Sequence, residues 1–418
     1  MKTDGTVRHH ILGAIAAHAL AACGGGGSDV GPTPLPRVGF ASAQAQPLEQ
    51  CATADPLSVL AGLGFGDFEV QADPQDPAGN VLYVANAQSG ASRVVIARID
   101  GQTGDVIAGS LVEIADNFNG QTHTNGPEFV QKPTGEMGVI YAGDGGVHGV
   151  FRSSNPTAWN KFAFDVNGSP THGSPPVLPG TSPGAYPGGN PPLGQNTYEQ
   201  ILGDCSGDRG CFGALGFGVP TDVASVLSAQ GLAFSGAAQS PRDGYIFISA
   251  CDQAKVCGLY EARIDNAGAF MAGSFRKLAR TAKPSTYNIV ATRHPVTGTT
   301  VLFAEEGSTT VDVWEQSADG SAFKLIASVP AAHKKHFQVE SDRTKVVLNY
   351  WGGVNQAGNY TMPVSAKKGR LQVGTIARIS DHGYGTELQW LPALDKWAVF
   401  LNPAVVPDHT FMRCWVAP

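Results

Sequence analysis

Three histidines stand at corresponding positions of a pattern that recurs along this chain. His123, His336 and His382 each lie in a short polar segment that directly precedes a strand-like run. An imidazole can ligate a metal ion, transfer a proton or hydrogen-bond a polar ligand. Because the same residue type recurs at the same place in three units, these side chains are the first candidates for a shared site.

Further polar side chains lie in the same kind of segment or in the turn between the second and third strand-like runs of a unit. They are Glu128, Asp144, His148, Tyr287 and Tyr384. Three interpretations are open. The residues are polar because they occupy exposed loops, or they line a funnel that binds a polar or anionic ligand, or His123, His336 and His382 hold a metal ion. Imidazole ligands suit zinc, copper or iron, and no local motif favours one of them.

Two short motifs match catalytic patterns but fail on physical grounds. Residues 180–184 read G-x-S-x-G, yet Pro183 follows the serine and has no N–H for an oxyanion hole. Residues 365–368 read S-x-x-K, but they precede Gly369 in a predicted hairpin turn rather than on a helix. No motif in the chain requires a cofactor, and the sequence leaves open whether the protein is an enzyme.

The elements that must position the candidates are short strands in a repeated unit. The clearest unit has four strand-like runs, with Gly, Asn and Pro between them, at 68–71, 81–84, 94–99 and 111–114. Similar units begin near Pro127, Leu232, Tyr287, His336 and Thr386. A spacing of about 50 residues is typical of one four-stranded blade of a β-propeller.

We therefore predict an all-β fold, a β-propeller of six four-stranded blades, with five to seven blades as the range. The alternative is a β-sandwich or two β-domains, which the regular restart of the unit disfavours. A long insertion at 167–231 interrupts the repeat, and its first part is rich in Gly, Pro and Ser. In a closed ring the segments that lead into the first strands converge, which would bring the candidate residues to one funnel.

The first 23 residues have the features of an export signal. Lys2 and Arg8 precede a short apolar run at 11–19, and Leu20-Ala21-Ala22-Cys23 follows. This segment resembles the lipobox of bacterial lipoproteins. The resemblance implies a lipid on Cys23 and, because residue 24 is Gly rather than Asp, sorting to the outer membrane. An ordinary secretory cleavage site is the alternative.

The predicted organisation is a signal peptide at 1–23, a flexible Gly/Pro-rich tether at 24–48 and the propeller at 49–418. Export to an oxidising compartment makes the cysteines other than Cys23 candidates for disulfides. The last unit has room for only three strands, so the segment around 50–60 is predicted to supply the fourth and to close the ring.

This closure places Cys51 beside Cys414, and the two are predicted to pair. Cys251 and Cys257 flank a short turn and are predicted to pair as well. The same holds for Cys205 and Cys211. Free buried thiols are the alternative for some of the six.

Composition limits the partners. A formal net charge of -7 without a Lys/Arg block excludes nucleic-acid binding through a basic face. The leading prediction is an envelope lipoprotein that is held to the membrane by its lipid and binds a polar or anionic ligand, such as a glycan, in its funnel. The alternatives are a lyase or hydrolase acting on a glycan or polymer there, and a scaffold that binds a protein partner.

The predicted arrangement resembles glycan-active propellers, in which short acidic and histidine-bearing loops line one face. The resemblance covers architecture only. Residues 151–159 differ from the aspartate box of sialidases in spacing and lack its Asp. The resemblance therefore transfers no catalytic residue to this chain.

Overall fold

The computed structural model describes residues 44–45, 48–60, 67–73, 75–76, 78–88, 93–115, 123–131, 137–143, 146–152, 159–163, 227, 229–239, 245–263, 273–281, 285–306, 310–330, 335–352, 358–380, 386–401 and 411–417. The chain divides into two units, residues 1–35 and residues 36–418, and every described residue belongs to the second. Cys23, most of the predicted tether and most of the insertion at 167–231 lie outside the described residues. No helix in the part of the chain that the structure describes is long and apolar enough to cross a membrane.

The described part of the chain consists almost entirely of β-strands, numbered in chain order. The first ten are β1 (Gln44–Ala45), β2 (Glu49–Thr53), β3 (Asp67–Ala72), β4 (Val81–Gln88), β5 (Arg93–Asp100), β6 (Val112–Ala115), β7 (His123–Gln131), β8 (Met137–Gly143), β9 (Gly146–Arg152) and β10 (Trp159–Ala163). The next eight are β11 (Leu232–Gln239), β12 (Tyr245–Asp252), β13 (Cys257–Arg263), β14 (Arg276–Thr281), β15 (Ser285–Arg293), β16 (Thr300–Glu306), β17 (Thr310–Gln316) and β18 (Phe323–Pro330). The last eight are β19 (Lys335–Ser341), β20 (Lys345–Gly352), β21 (Gly358–Lys367), β22 (Arg370–Val373), β23 (Ala377–Ser380), β24 (Thr386–Leu391), β25 (Lys396–Leu401) and β26 (Met412–Val416).

These strands form six sheets, in which strands that follow one another in the chain pair antiparallel. Sheet 1 contains β3 to β6, sheet 2 contains β7 to β10, sheet 3 contains β11 to β14 and sheet 4 contains β15 to β18. Sheet 5 contains β19 to β23 together with β1, and sheet 6 contains β24 to β26 together with β2. The all-β prediction is confirmed, and each predicted unit begins within the first strand of one sheet.

Sheet 5 departs from the predicted four-stranded unit. The end of β21 pairs with β22 and its start pairs with β23, so two short strands share the fourth position. β1 adds to β23 as a parallel strand, with Gln44 opposite Ala377. β1 belongs to the segment predicted as a flexible tether at 24–48, and the edge of β23 offers the backbone groups that this extended segment can hydrogen-bond.

The turn between β21 and β22 explains why residues 365–368 are not a catalytic motif. Lys367 pairs with Arg370, and between them Lys368 and Gly369 have φ angles of 52° and 72°. Two successive positive φ angles are typical of the two-residue turn that matches the twist of a hairpin. The S-x-x-K sequence therefore lies on a strand and its turn, as predicted, and not on a helix.

The core lies between successive sheets, because the sheets bury apolar side chains on both faces. In β17, Val311 and Val313 are buried on one face and Trp314 is buried on the other. Phe303 of sheet 4 and Leu348 of sheet 5 belong to one buried cluster. Other clusters join sheets 3 and 4, sheets 5 and 6, and sheets 6 and 1.

The first strands of the sheets bring these neighbours together. Among the described residues, β3 contacts β7, β11 contacts β15, β15 contacts β19, β19 contacts β24, and β24 contacts β3. The last of these contacts joins the final sheet of the chain to its first sheet. From sheet 3 to sheet 6 the order of the sheets in space therefore follows their order in the chain, and sheet 6 lies beside sheet 1.

Hydrogen bonds cross the same boundaries. Arg276 of sheet 3 donates to the Gly320 carbonyl in sheet 4 at 2.7 Å. Arg413 of sheet 6 donates to the Thr103 carbonyl of sheet 1 and forms an ion pair with Asp105 at 2.8 Å. Each of these bonds satisfies a polar group in a turn of the neighbouring sheet, so that the bonds fix how two sheets sit against each other.

Between sheets 5 and 6 the corresponding bond joins the β19–β20 turn to the start of β25. Trp397 donates its indole N–H to Asp342 at 2.9 Å. Burial raises the pKa of the Asp342 carboxyl, but hydrogen bonds from Thr344, from Trp397 and from the backbone of Lys345 outweigh burial and hold it below its usual value.

Strand β2, which precedes sheet 1 in the chain, completes sheet 6. β2 pairs antiparallel with β26, with Thr53 opposite Met412. Cys51 and Cys414 form a disulfide between these strands, with Cα atoms 4.1 Å apart. The second predicted disulfide, Cys251–Cys257, joins the paired ends of β12 and β13. Cys205 and Cys211 lie outside the described residues.

The two disulfides are expected to contribute unequally to stability. Cys51–Cys414 closes a loop with a sequence separation of 363, and Cys251–Cys257 closes one of 6. Chain-entropy arguments then give contributions of about 6 and about 2 kcal/mol. We expect the C51S/C414S variant to lose much more of its free energy of unfolding than C251S/C257S, as measured by urea denaturation. Equal losses would contradict a role for Cys51–Cys414 in closing the chain.

A buried histidine joins sheets 4 and 5. His294 is 0% exposed, and its Nδ1 accepts hydrogen bonds from the backbone N–H groups of Val296 and Thr297. Nε2 therefore carries the proton and donates to the Val364 carbonyl of sheet 5 at 3.2 Å. A second proton on Nδ1 would face two N–H donors, so the neutral ring is the form that fits.

Burial lowers the pKa of His294, and neither the bond to Val364 nor the charges of Glu315 and Asp342 restore it. The unfolded chain therefore binds this proton more readily than the folded chain does. The stability that the neutral ring contributes is complete above the unfolded pKa of about 6.5 and is lost as the pH falls below it.

The H294N variant tests this pH dependence. An Asn Oδ1 can accept the two turn N–H groups but cannot reach Val364, so the variant should lose about 1 kcal/mol at neutral pH. Its urea midpoint should then change less than that of the parent between about pH 7.5 and about pH 5.5. Identical pH slopes for parent and variant would exclude His294 as a source of acid sensitivity.

Candidate functional site

Five of the predicted site residues lie in described strands, where the structure describes the backbone and not these side chains. They are His123 and Glu128 in β7, His148 in β9, Tyr287 in β15 and His336 in β19. The remaining three, Asp144, His382 and Tyr384, lie outside the described residues.

The backbone places His123 and His336 at corresponding ends of their sheets, whereas Glu128 lies opposite Ile140, in the middle of β8. His123 is opposite Gly143, the last residue of β8, and Lys335, next to His336, is opposite Trp351 near the end of β20. The start of each first strand therefore lies beside the turn between the second and third strands. We call this the leading end of a sheet. In sheet 2 the paired residues Gly143 and Gly146 flank this turn.

Irregular pairing recurs at the leading end. The register shifts between His123 and Pro127 in β7, between Ser285 and Ile289 in β15, and between Lys335 and Gln338 in β19. Such irregularities re-aim side chains and are common beside functional sites. They fall on the residues that the sequence singles out, including His123, Tyr287 and His336.

No group of three His, Cys, Asp or Glu side chains that could hold a metal ion occurs among the residues whose side chains are described. The side chains of His123, His336 and His382 are not part of that set. A metal held by these histidines stays a prediction from the sequence.

Behind the leading end, the first strands of three successive sheets carry buried polar side chains. In β3 these are Glu69 and Gln71, in β19 Gln338, and in β24 Glu387 and Gln389, all less than a tenth exposed. They alternate with buried apolar residues such as Val70 and Leu388. A buried polar group is tolerated only if it is hydrogen-bonded, so their partners decide what they do.

Gln338 ties sheet 5 to sheet 6. Its Oε1 accepts the backbone N–H of Leu388 at 3.0 Å and the amide N–H of Asn349 at 3.4 Å. Asn349 also donates to the Thr386 carbonyl at 3.0 Å. Two amide side chains of sheet 5 thus hydrogen-bond the backbone of β24 at its leading end, and they fix where that strand begins.

Gln389 makes the next connection, from sheet 6 to sheet 1. Its Nε2 donates to the Val70 carbonyl of β3 at 2.7 Å and to Glu340 of β19 at 3.4 Å. One side chain therefore contacts the first strands of both neighbouring sheets. We refer to Gln338, Asn349 and Gln389 together as the amide bridge.

The amide bridge is neutral and its atoms are buried, so its role is to position the strands. Within the described residues, Gln338 Nε2, Asn349 Oδ1 and Gln389 Oε1 have no hydrogen-bond partner. These atoms have almost no accessible surface. The chemistry that could act on a ligand therefore belongs to the leading end and not to the amide bridge.

Sequence reasoning missed the amide bridge, although a signal for it exists. Residues 68–71 read Phe-Glu-Val-Gln, residues 337–340 read Phe-Gln-Val-Glu and residues 387–389 read Glu-Leu-Gln. Alternation of this kind usually predicts one face in water. In a strand predicted to lie innermost, the polar positions must instead be buried and bonded to a neighbouring strand.

Comparisons with known proteins do not assign a family. No family model and no curated protein matches the chain. Solved structures with similar folds include the BP39L lectin from Burkholderia pseudomallei, at 11% identity over 85% of this chain and 96% of that chain, with a TM-score of 0.46. A protein of unknown function from Dyadobacter fermentans has 11% identity over 90% and 98%, with a TM-score of 0.41. The intramolecular trans-sialidase from Ruminococcus gnavus has 9% identity over 85% and 95%, with a TM-score of 0.42.

The amide bridge makes a testable prediction about stability. Replacing Gln338 with Met keeps the length of the side chain but leaves the Leu388 N–H and the Asn349 amide without their acceptor, which should cost about 1–3 kcal/mol. Q372M on the exposed face of β22 is the matched control and should be near neutral. Urea denaturation measures both. A Q338M variant as stable as Q372M would show that the bridge does not support the strands.

Proposed function

We propose that the described sheets are the blades of a six-bladed β-propeller, and that this propeller binds a polar or anionic ligand of the glycan class at its leading end. The observation that carries the proposal is the sequence of contacts between first strands, which runs from sheet 3 through sheets 4, 5 and 6 to sheet 1 and on to sheet 2. A blade that is apolar on both faces needs a neighbour on each side, and a ring provides one.

Closure by β2 supports the ring. The strand that precedes sheet 1 in the chain is the outermost strand of sheet 6, and the Cys51–Cys414 disulfide holds it there. Arg413 then joins the same sheet to Asp105 of sheet 1. Sheet 6 is therefore held in three ways. Strand pairing and a disulfide join β26 to β2, and an ion pair joins β26 to sheet 1.

The ring explains why residues from distant units would act together. Each leading end holds the start of a first strand, and in the proposed ring the first strands would lie side by side, as the contacts from sheet 3 through sheet 6 to sheets 1 and 2 support. His123, Tyr287 and His336 would then surround one opening, joined by His382 and Tyr384 from the segment before β24. Imidazole and phenol groups next to Glu128 and Asp144 hydrogen-bond hydroxyl groups and anions, which is the chemistry that glycans present.

The cell envelope is the proposed location. Leu20-Ala21-Ala22-Cys23 supports a lipid on Cys23, and the two disulfides are consistent with an oxidising compartment. A lipid-held propeller with a polar opening would capture its ligand close to the membrane.

Binding to an immobilised panel of neutral and acidic glycans tests the proposal. The full chain in detergent should bind at least one glycan class saturably. The H123A/H336A/H382A variant should bind it at least tenfold more weakly, because several hydrogen bonds of about 1 kcal/mol each are lost. R343Q/D395N, which removes one exposed charge of each sign from the β19–β20 and β24–β25 turns, away from the leading ends, is the control and should bind like the parent.

Two results would overturn the proposed function. One is the absence of saturable binding to any glycan of the panel while the parent remains folded. The other is equal binding by the parent and the triple variant, which would place the ligand elsewhere. Mass spectrometry of the recovered glycan should show it unchanged; a cleaved product would mean that the opening is an enzyme's active site.

A further inference from the structure

The outer strand of sheet 3 carries an unusual concentration of positive charge for a chain whose net charge is -7. Arg276, Lys277 and Arg280 all lie on β14, and all three are exposed. Arg276 has a structural role, since it forms an ion pair with the buried Glu261 at 2.6 Å and donates to the Gly320 carbonyl of sheet 4. Lys277 and Arg280 are not accounted for by these contacts.

The Lys277 side chain lies flat along the sheet instead of extending into water. Its ammonium is 5.5 Å from the centre of the Tyr260 ring, and the other contact of that ring is Phe275, stacked at 4.9 Å. A Cβ atom on Gly258 would lie 2.6 Å from Lys277 Cε and 3.2 Å from its Nζ. The absence of a side chain at Gly258 therefore creates the recess that the ammonium occupies.

Arg280 lies beside the same recess. It is the cross-strand partner of Gly258, so the two residues share one face of the sheet. Partners of this kind have Cβ atoms about 5 Å apart, which puts the Lys277 ammonium within about 9 Å of Arg280 Cβ and well within reach of its guanidinium. Like charges this close on a sheet are destabilising unless something offsets them.

No described carboxylate forms an ion pair with Lys277 or Arg280. Glu261 is bonded to Arg276, and Asp252 accepts the backbone N–H of Val256 at 2.8 Å in the adjoining turn. The Lys277 ammonium therefore lies in a recess with a backbone floor at Gly258 and an aromatic wall at Tyr260, and Arg280 is on the same face beside it. Asp252, whose charge adds to burial in raising the pKa of Tyr260, is a described carboxylate near this recess, and it forms no ion pair with either cation. Two cations beside one such carboxylate leave a positive charge that a ligand can balance.

We propose that Lys277 and Arg280 form a binding site for a single oxyanion, a phosphate, sulfate or carboxylate group, separate from the proposed glycan opening. The guanidinium can donate two parallel N–H groups to such an anion, and the ammonium adds a third donor from the side. A flat bilayer fits less well, because the ammonium is held down at the level of the backbone. Protection of an edge strand by exposed cations explains charge on β14 but not a lysine laid across a glycine.

Isothermal titration of the full chain in detergent with inorganic phosphate, sulfate and acetate tests the site at constant ionic strength. The parent should bind at least one of the three saturably at one site. K277Q/R280Q should bind it at least tenfold more weakly, and the charge-retaining K277R/R280K should recover most of the affinity. K324Q/R370Q removes one Lys and one Arg that are exposed on the outer strands of sheets 4 and 5, and should bind like the parent.

Three outcomes would overturn the site. The first is that none of the anions binds saturably to the folded parent. The second is equal weakening by K277Q/R280Q and K324Q/R370Q, which would reveal a general effect of net charge. The third is binding only to vesicles of anionic phospholipid and to no free anion, which would make β14 a membrane contact. All variants keep the Cys251–Cys257 hairpin, and a thermal melt compares their folded state with that of the parent.

Discussion

The structure depends on one constraint: the sheets whose side chains are described bury apolar residues on both faces. β17 buries Val311 and Val313 on one side and Trp314 on the other, and the clusters that contain such residues always join two successive sheets. An open row of such sheets would leave two apolar faces exposed at its ends. Where sheet 6 meets sheet 1, Phe400 and Phe68 belong to the same buried cluster, so these two faces are covered.

Hydrogen bonds then fix the relative position of neighbouring sheets, which apolar packing alone does not determine. Hydrophobic contact is not directional, whereas His294 needs one carbonyl in sheet 5 and Gln389 needs one carbonyl in sheet 1. The amide bridge fixes the first strands relative to one another behind the leading end. The proposed site would require that rigidity, because its residues come from several sheets.

The sequence predicts the local features of this fold well, because they follow from local patterns. β-branched runs with Gly and Asn between them predict strands such as β4 and β5, and the shortage of a strand after Thr386 predicts that the segment around Cys51 pairs with the last strand. The amide bridge and the role of His294 could not be predicted in the same way. Their partners, Leu388, Val70 and Val364, are backbone groups of other sheets, so no short-range pattern specifies them. The parallel addition of Gln44 and Ala45 to β23 follows from an open strand edge, which a sequence does not display.

Mapping the disulfides of the unreduced full chain by mass spectrometry tests the central claim. This claim is that β2 and β26, which are far apart in the chain, pair in one sheet. We expect a peptide containing Cys51 linked to a peptide containing Cys414, beside a separate Cys251–Cys257 link. A Cys51 that is free in the folded protein, or linked to any cysteine other than Cys414, would contradict the closure on which the ring and its proposed site rest.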